Sequence, residues 1–231
     1  MQSDIQKIVD TLTTAIVEHR LKPGLQMAQD KLLEHFKVPP SILQLAINQL
    51  VQQHLLVIDR ERGPCIASPS LREAKEVFEV RRLIEVNIVR LFVQQIDVGQ
   101  IRTLRNLLIK EKESVAKPAS NGRIELQGDF HLAIAQLLGN TVLESMLRGL
   151  IHRCALISLM YQSKADEPAS NQEHIQILEA MSAKNEAKAV ELMEEHLFNE
   201  VSKLVLTKVP ASYDQTQAFE SSYMATVEAP L

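Results

Sequence analysis

The sequence contains no tryptophan, and aromatic residues make up only 4% of its 231 residues. A hydrophobic core must therefore be built mainly from leucine, isoleucine, valine and methionine. These residues suit the packing of helix on helix better than a β-sandwich, in which aromatic residues are enriched. The composition thus favours a helical protein, and the length allows two domains of ordinary size.

Cysteine is also scarce, and long apolar runs are missing. The two cysteines, Cys65 and Cys154, lie far apart and form no CxxC motif, which indicates two free thiols in a reducing cytoplasm. No stretch approaches the roughly 20 apolar residues that span a bilayer. The polar and charged start, MQSDIQKIVD, has no feature of a secretory signal. We therefore expect a cytoplasmic protein.

An excess of positive charge is absent as well. The formal net charge is -4, and the first 72 residues contain eight lysines and arginines against seven acidic residues. This balance excludes a general basic field that would attract nucleic acid. Any DNA binding must therefore depend on a few individually placed side chains.

Residues 1–70 show three short helical patterns followed by a hairpin. Apolar residues recur at helical spacing from about residue 4 to 18, a short helix begins at or is capped by Asp30, and a third runs from Ser41 to about residue 54 behind two prolines. Two apolar segments, 55–58 and 65–67, then flank a charged tip that contains Gly63. This order predicts a winged helix-turn-helix DNA-binding domain.

From residue 71 onward the pattern is helical throughout. Helices are predicted near 71–95, 98–117, 121–138, 141–162, 168–183 and 186–207, with Asn140 capping the fourth. Short connections between them predict an antiparallel all-helical bundle over residues 71–207. Residues 208–231 lose this periodicity and are expected to form an irregular tail. The fold class is therefore mainly α.

Six stretches in this order resemble the GntR family of bacterial transcription regulators, in its FadR-type branch with an FCD effector domain. They are RLKPGLQM (20–27), RERGPCIA (60–67), EVFEVRRLIE (76–85), FHLAIAQLLGN (130–140), NQEHIQILEAM (171–181) and AVELMEEHL (189–197). The resemblance implies a homodimer that binds a palindromic DNA operator, most often as a repressor. It also implies control by a small organic acid or a similar metabolite, here taken to be a carboxylate.

The segment that resembles the family's DNA-recognition helix departs from its pattern. In PPSILQLAI (39–47), Pro40 and Gln44 occupy the two positions where the family places arginine, and Leu45 occupies that of the adjacent glutamate. An arginine fork would contact guanine, whereas Gln44 can contact adenine through two hydrogen bonds. The alternative interpretation is that this helix only packs and does not contact DNA.

Other polar residues are candidates for binding DNA around this helix. Ser41 and Gln49 can bond phosphate or base edges. Arg60 and Arg62, beside Gly63 in the predicted wing, can enter a minor groove or contact phosphates.

The resemblance also implies a divalent metal site in the helical domain. The family commonly places an aspartate four residues before a histidine on one helix and two more histidines on later helices. These positions are Gln127, His131, His174 and His196 in this sequence. Three imidazoles suit Zn²⁺ or Ni²⁺, although Gln127 offers a neutral amide where the family has a carboxylate. The alternatives are a metal-free polar pocket, or histidines that only pack in the core.

Arg81 matches an arginine that commonly faces this pocket, where its guanidinium can bind the carboxylate of an effector together with Gln127. An ion pair with Glu85, four residues later, is the other interpretation, and the two are compatible. Two further functions remain open from the sequence. One is a degenerate family member that binds metal, ligand or a protein partner with little DNA binding, and the other is a metal-dependent hydrolase.

Overall fold

The computed structural model describes the backbone of residues 2–17, 20–115, 123–161 and 167–204. The predicted tail, residues 208–231, lies outside the described residues, and so do residues 116–122, which include the end of the helix predicted near 98–117 and the start of the one predicted near 121–138. The chain divides into two compact units, one reaching Pro69 and the other beginning at Ser70. Each unit is described by itself.

The first unit has the element order of a winged helix-turn-helix. Helices α1 (Gln2–Val17), α2 (Gln29–Phe36) and α3 (Pro40–Gln52) precede the antiparallel hairpin of β1 (Leu56–Asp59) and β2 (Gly63–Ile66). Helix α3 packs against α1, α2 and β1. Its buried side supplies Ile42, Leu43, Ala46, Ile47 and Leu50 to the core.

A third extended segment lies beside the hairpin, which the sequence pattern did not predict. Residues 24–27 bond to β2: Gly24 N–H donates to the Ile66 carbonyl (3.0 Å), Ile66 N–H to Leu25 (2.8 Å) and Met27 N–H to Pro64 (2.8 Å). The segment is too short for an alternating pattern to be visible in the sequence. Its Gly24 has φ of 79°, a left-handed conformation that glycine adopts without strain.

The starts of α2 and α3 each differ by one residue from the prediction. Helix α3 begins at Pro40 rather than Ser41, because proline fits the first helical turn, where its missing N–H would have no partner. Helix α2 begins at Gln29, so the predicted start at Asp30 is one residue late. The residue before α2 is Ala28, and no side chain caps the helix; the prediction of a cap by Asp30 is therefore wrong.

The second unit consists of six helices in its described residues. They are α4 (Leu71–Gln95), α5 (Val98–Val115), α6 (Arg123–Leu138), α7 (Thr141–Tyr161), α8 (Glu167–Ser182) and α9 (Glu186–Ser202). Ser70 caps α4, Asn140 accepts from the first turn of α7, and Asn185 caps α9. These side-chain caps explain why the predicted starts of α4, α7 and α9 agree with the structure.

Helix α4 is the central element of this bundle and packs against α6, α7, α8 and α9. Its buried residues include Val86, Val89, Phe92 and Val93, which belong to the main apolar core. Lys184, in the turn between α8 and α9, donates from Nζ to the carbonyls of Val93 (3.0 Å) and Ile96 (2.7 Å) at the end of α4. None of the helices in the described ranges is long and apolar enough to cross a membrane. The predicted class, mainly α, is confirmed.

Candidate functional site

Three buried histidines meet in the middle of the helical bundle. His131 comes from α6, His174 from α8 and His196 from α9, and their side chains are 4%, 0% and 2% exposed. The Nε2 atoms are separated by 3.2 Å (His131–His174), 3.3 Å (His174–His196) and 3.2 Å (His131–His196). The ring of Phe130 stacks on His174 with centroids 4.4 Å apart, which fixes the plane of that imidazole.

The other nitrogen of each imidazole faces a carboxylate from a different helix. Glu85 on α4 contacts Nδ1 of His131. Both carboxylate oxygens of Glu111 on α5 lie 3.1 Å from Nδ1 of His174. Glu173 on α8 lies 2.7 Å from Nδ1 of His196. Every histidine of the cluster therefore has a carboxylate oxygen beside its Nδ1.

The carboxylates in turn have partners of their own. Asn171 donates to Glu111 (3.1 Å) and also to the Leu108 carbonyl, while Asn199 donates to Glu173 (2.8 Å). Arg81 donates from Nε to Glu85 at 2.6 Å. The carboxylates are thus held in place around the histidines.

This arrangement determines where the imidazole protons lie. A neutral histidine that donates from Nδ1 to a carboxylate has an unprotonated Nε2. Burial lowers the pKa of His131 to about 3, although Glu85 opposes the shift. Burial also lowers the pKa of His174 against the influence of Glu111. Donation from each Nδ1 to its carboxylate would leave three Nε2 lone pairs directed at one point, which is an arrangement that favours a cation between them.

The donor set fits a divalent metal ion. With metal–nitrogen bonds of 2.0–2.1 Å, tetrahedral ligation places neighbouring nitrogens about 3.3–3.4 Å apart. The observed Nε2 separations are 3.2–3.3 Å. A carboxylate behind each metal-binding imidazole is the usual way in which proteins orient such ligands. His131, His174 and His196 would hold the ion through Nε2.

One carboxylate beside the histidines, that of Glu85, is ionised although it is buried. Burial disfavours the ionised form of Glu85, but Arg81 and His131 outweigh it and lower the pKa of Glu85 below its ordinary value. A buried charge requires a partner of opposite sign. Arg81 is that partner for Glu85, and the ionised carboxylate in turn favours a cation near the histidines.

A small cavity of about 40 Å³ adjoins the histidines. Because one water needs about 10–15 Å³, this space holds about three water molecules. Arg81 lines it and donates from Nη1 to the Cys154 thiol at 3.4 Å. Other lining residues are His131, Ile151, Ala155, Ser158, Ser170, His174, His196 and Glu200. Glu200 is paired with Lys203 at 3.1 Å.

The DNA-binding candidates lie on the surface of the first unit. Ser41 and Gln44 are exposed on α3 and Gln49 is half-buried there, and Arg60 is exposed between β1 and β2. Arg62 is engaged within the hairpin: it pairs with Asp59 at 3.2 Å and donates to the Gly24 carbonyl at 3.5 Å. Gly63 has φ of 76° and allows the tight turn.

Several site residues predicted from the sequence are brought together, and others were not predicted. The structure unites His131, His174 and His196 with Arg81, and the predicted pair of Arg81 with Glu85 forms. Gln127 lies on α6, but its side chain is outside the described residues. Glu111 was not predicted, because it precedes its partner by 63 residues and no local spacing reveals it. Glu173 contacts Nδ1 of His196 rather than the neighbouring His174.

Comparison with known proteins places the chain in a family. The FCD domain model matches residues 76–199. The uncharacterized HTH-type transcriptional regulator YdhC of Bacillus subtilis is 26% identical over 186 residues, covering 77% of this chain and 80% of that protein. The Nta operon transcriptional regulator of Aminobacter aminovorans is 21% identical over 201 residues, covering 85% of this chain and 94% of that protein.

Solved structures share the fold. Escherichia coli McbR/YncC superposes with a TM-score of 0.77 at 20% identity, covering 87% of this chain and 97% of that one. A transcriptional regulator GntR from Rhodococcus sp. RHA1 superposes with a TM-score of 0.76 at 19% identity, covering 87% of this chain and 96% of that one. The chain belongs to the FCD-containing branch of the GntR family, as its sequence motifs predicted. It is a transcriptional regulator rather than an enzyme, and the hydrolase hypothesis is set aside.

Proposed function

We propose that this regulator is a homodimer that binds a palindromic operator. A small carboxylate that binds beside a metal ion would make the dimer leave the operator or change its arrangement there. The observation that carries the proposal is the triangle of three Nε2 atoms with a carboxylate behind each ring. Zn²⁺ and Ni²⁺ are the preferred ions, because both accept imidazole ligands. The metal would act as a Lewis acid that accepts an oxygen of the effector.

Metal content tests the site directly. We expect the purified wild-type protein to bind about one equivalent of Zn²⁺ or Ni²⁺ per chain and His174→Ala to bind almost none. The matched control is His54→Asn: His54 is exposed with φ of 58°, a conformation that asparagine tolerates well. Equal metal content in His174→Ala and wild type would refute the ligand assignment.

The effector site is proposed at the cavity lined by Arg81. A guanidinium and a metal ion on one cavity wall favour a carboxylate, since the ion accepts an oxygen lone pair and the guanidinium donates hydrogen bonds. Ligand-dependent control requires that the carboxylate bind one arrangement of the protein better than the other. Thermal-shift screening of mono- and dicarboxylates against the metal-loaded protein is the test. Stabilisation only by uncharged compounds would contradict a carboxylate effector.

The homodimer is proposed from the operator symmetry that the family implies and from an apolar stripe on α4. Val80, Leu83 and Leu91 are 41%, 62% and 51% exposed, and a second copy of the chain would cover them. Two identical DNA-binding units read the two half-sites of a palindrome. Light scattering should give twice the chain mass for wild type, and Leu83→Arg should give the monomer mass. A monomeric wild type would contradict this part of the proposal.

DNA binding is proposed for the first unit, with Ser41, Gln44, Gln49, Arg60, Arg62 and Gly63 in contact with the operator. The described relatives carry helix-turn-helix or operon-regulator names, and one, RspR of Escherichia coli, is named a repressor. Selection of bound fragments from the source genome at low and moderate salt should enrich a palindrome. A reporter placed behind that palindrome should be repressed. The absence of any enriched palindrome would refute DNA-directed regulation.

One observation favours a second candidate function. Helix α3, PSILQLAINQLVQ, has no charged residue at all, whereas contacts to phosphate from lysine and arginine usually supply most of the affinity for DNA. A family member that binds metal and ligand, or a protein partner, with little DNA binding is consistent with that surface. The fragment selection described above decides between the two candidates.

A further inference from the structure

The exposed side of α3 presents a compact, uncharged surface. Positions 41, 44, 45, 48 and 52 fall within about 100° of each other around the helix axis, at 100° per residue, and all five are exposed. They are Ser41, Gln44, Leu45, Asn48 and Gln52. This set, named the α3 face below, contains hydroxyl, amide and apolar groups only.

Two amides on this face are already oriented by each other. Gln44 donates from Nε2 to Oδ1 of Asn48 at 3.0 Å, one helical turn apart. The bond engages one N–H of Gln44 and the carbonyl of Asn48. It leaves Oε1 of Gln44 as an acceptor and Nδ2 of Asn48 as a donor, side by side on the surface.

An acceptor beside a donor is the complement of adenine in the major groove. Adenine presents the N6 amino group as donor and N7 as acceptor. Guanine presents two acceptors, O6 and N7, and an arginine fork satisfies both of them. A carbonyl oxygen placed against guanine O6 would instead set acceptor against acceptor and leave both without a hydrogen bond.

Leu45 adds an apolar contact to the same surface. Its side chain is 48% exposed, although five other apolar side chains of α3 are buried. The only apolar group on a base edge in the major groove is the thymine methyl group. An exposed leucine beside Gln44 therefore favours an A·T or T·A pair next to the adenine that the amides contact.

We propose that the α3 face recognises operator half-sites with adjacent A·T pairs, with Gln44 and Asn48 contacting adenine and Leu45 contacting a thymine methyl group. This inference rests on the proposed DNA-binding function and names the base sequence class that it reads. Half-sites centred on guanine would be disfavoured, because the face offers no pair of charged donors.

The first experiment is selection of full-length, metal-loaded protein on random duplex DNA. The expected result is a palindrome whose half-site core consists of A·T pairs. A palindrome with an invariant G·C pair in the core overturns the inference while DNA binding itself stands. If no sequence is enriched, the proposed DNA-binding function fails and the inference fails with it.

The second experiment removes single groups from the selected half-site. Replacing the core adenine by 7-deazaadenine deletes N7, and replacing thymine by uracil deletes only the methyl group. Each change should weaken wild-type binding by about tenfold. Asn48→Ala should bind the 7-deazaadenine half-site as tightly as the unmodified half-site. Leu45→Ala should likewise bind the uracil half-site as tightly as the unmodified one. Full sensitivity of either variant to its base change would assign that contact to another residue and overturn the inference.

Controls separate base contacts from folding. Gln172→Ala removes an exposed amide from α8, in the other unit, and should bind the selected site like wild type. Gln44→Arg should move the selected core towards guanine. If Gln44→Arg selects the same A·T core as wild type, Gln44 does not read the base and the inference is overturned.

Discussion

Each of the two units departs from the family's sequence pattern, but the residues around the departing positions differ between the units. In the first unit, Pro40 and Gln44 stand where arginines are usual, and no charged residue of α3 takes their place. In the second unit, Gln127 stands where a carboxylate is usual, and three carboxylates surround the histidines. An exposed surface can lose its charges without a cost to folding. A buried cluster must balance its charges within the protein.

This contrast separates stability from specificity. Side chains on the α3 face have few contacts within the chain, so their identity affects what the protein binds. Arg81, Glu85 and Glu111 are almost completely buried, so we expect their identity to affect both the proposed metal site and the stability of the bundle. The predictions below test that separation, beginning with the largest expected effect.

Removal of the Arg81 guanidinium should destabilise the second unit most. Arg81→Met leaves Glu85 buried without its cation, and breaking a buried pair in this way costs about 3–5 kcal/mol. Urea denaturation of the metal-loaded protein measures the loss. The matched control is Arg82→Met on the next residue, because Arg82 is exposed and contacts Glu194 at 3.7 Å; its cost should stay below about 1 kcal/mol. Equal losses of stability in the two variants would show that burial of Arg81 does not determine how much its ion pair contributes.

Removal of the metal should destabilise the second unit and leave the first unchanged. At a hundredfold excess of metal over its dissociation constant, binding contributes about 2.7 kcal/mol. Hydrogen exchange measured with and without a chelator should show lost protection in α6, α8 and α9. Amides of α3 should exchange at the same rate in both samples. Equal loss of protection in both units would contradict the prediction that the metal stabilises the second unit alone.

Replacement of Glu111 should weaken metal binding without removing a ligand. In Glu111→Gln an amide N–H can face Nδ1 of His174, which moves the imidazole proton to Nε2 and removes the lone pair that the metal needs. Loss of such an outer partner typically costs about 10- to 100-fold in affinity. Competition with a coloured chelator measures it. Glu113→Gln, exposed on the same helix, should leave affinity unchanged, and an unchanged affinity in Glu111→Gln would contradict the positioning role.

Substitution on the α3 face should have the smallest effect on stability. Gln44→Ala and Asn48→Ala remove one exposed hydrogen bond at 3.0 Å, so the free energy of unfolding should change by less than about 0.5 kcal/mol. Denaturation curves should superimpose on that of wild type. A loss of several kcal/mol would show that the α3 face is structural.

The sequence predicted the helices well where capping side chains mark their starts. It also identified the three histidines and the Arg81–Glu85 pair, the former through family positions and the latter through i,i+4 spacing. Glu111 could not be predicted, because its role depends on the packing of α5 against α8. The extended segment at residues 24–27 was missed for a related reason, since its hydrogen bonds go to residues about 40 positions later.

The reactivity of the Cys154 thiol can report whether the cavity is occupied. Its Sγ lies at the cavity wall against Arg81, and burial raises the pKa of the thiol, so alkylation there should be slow and governed by access. A compound that fills the cavity would slow it further. Cys65, buried in the other unit, provides an internal reference within the same molecule. The rate ratio of the two thiols would thus report cavity occupancy for any compound, without a label and before the operator is known.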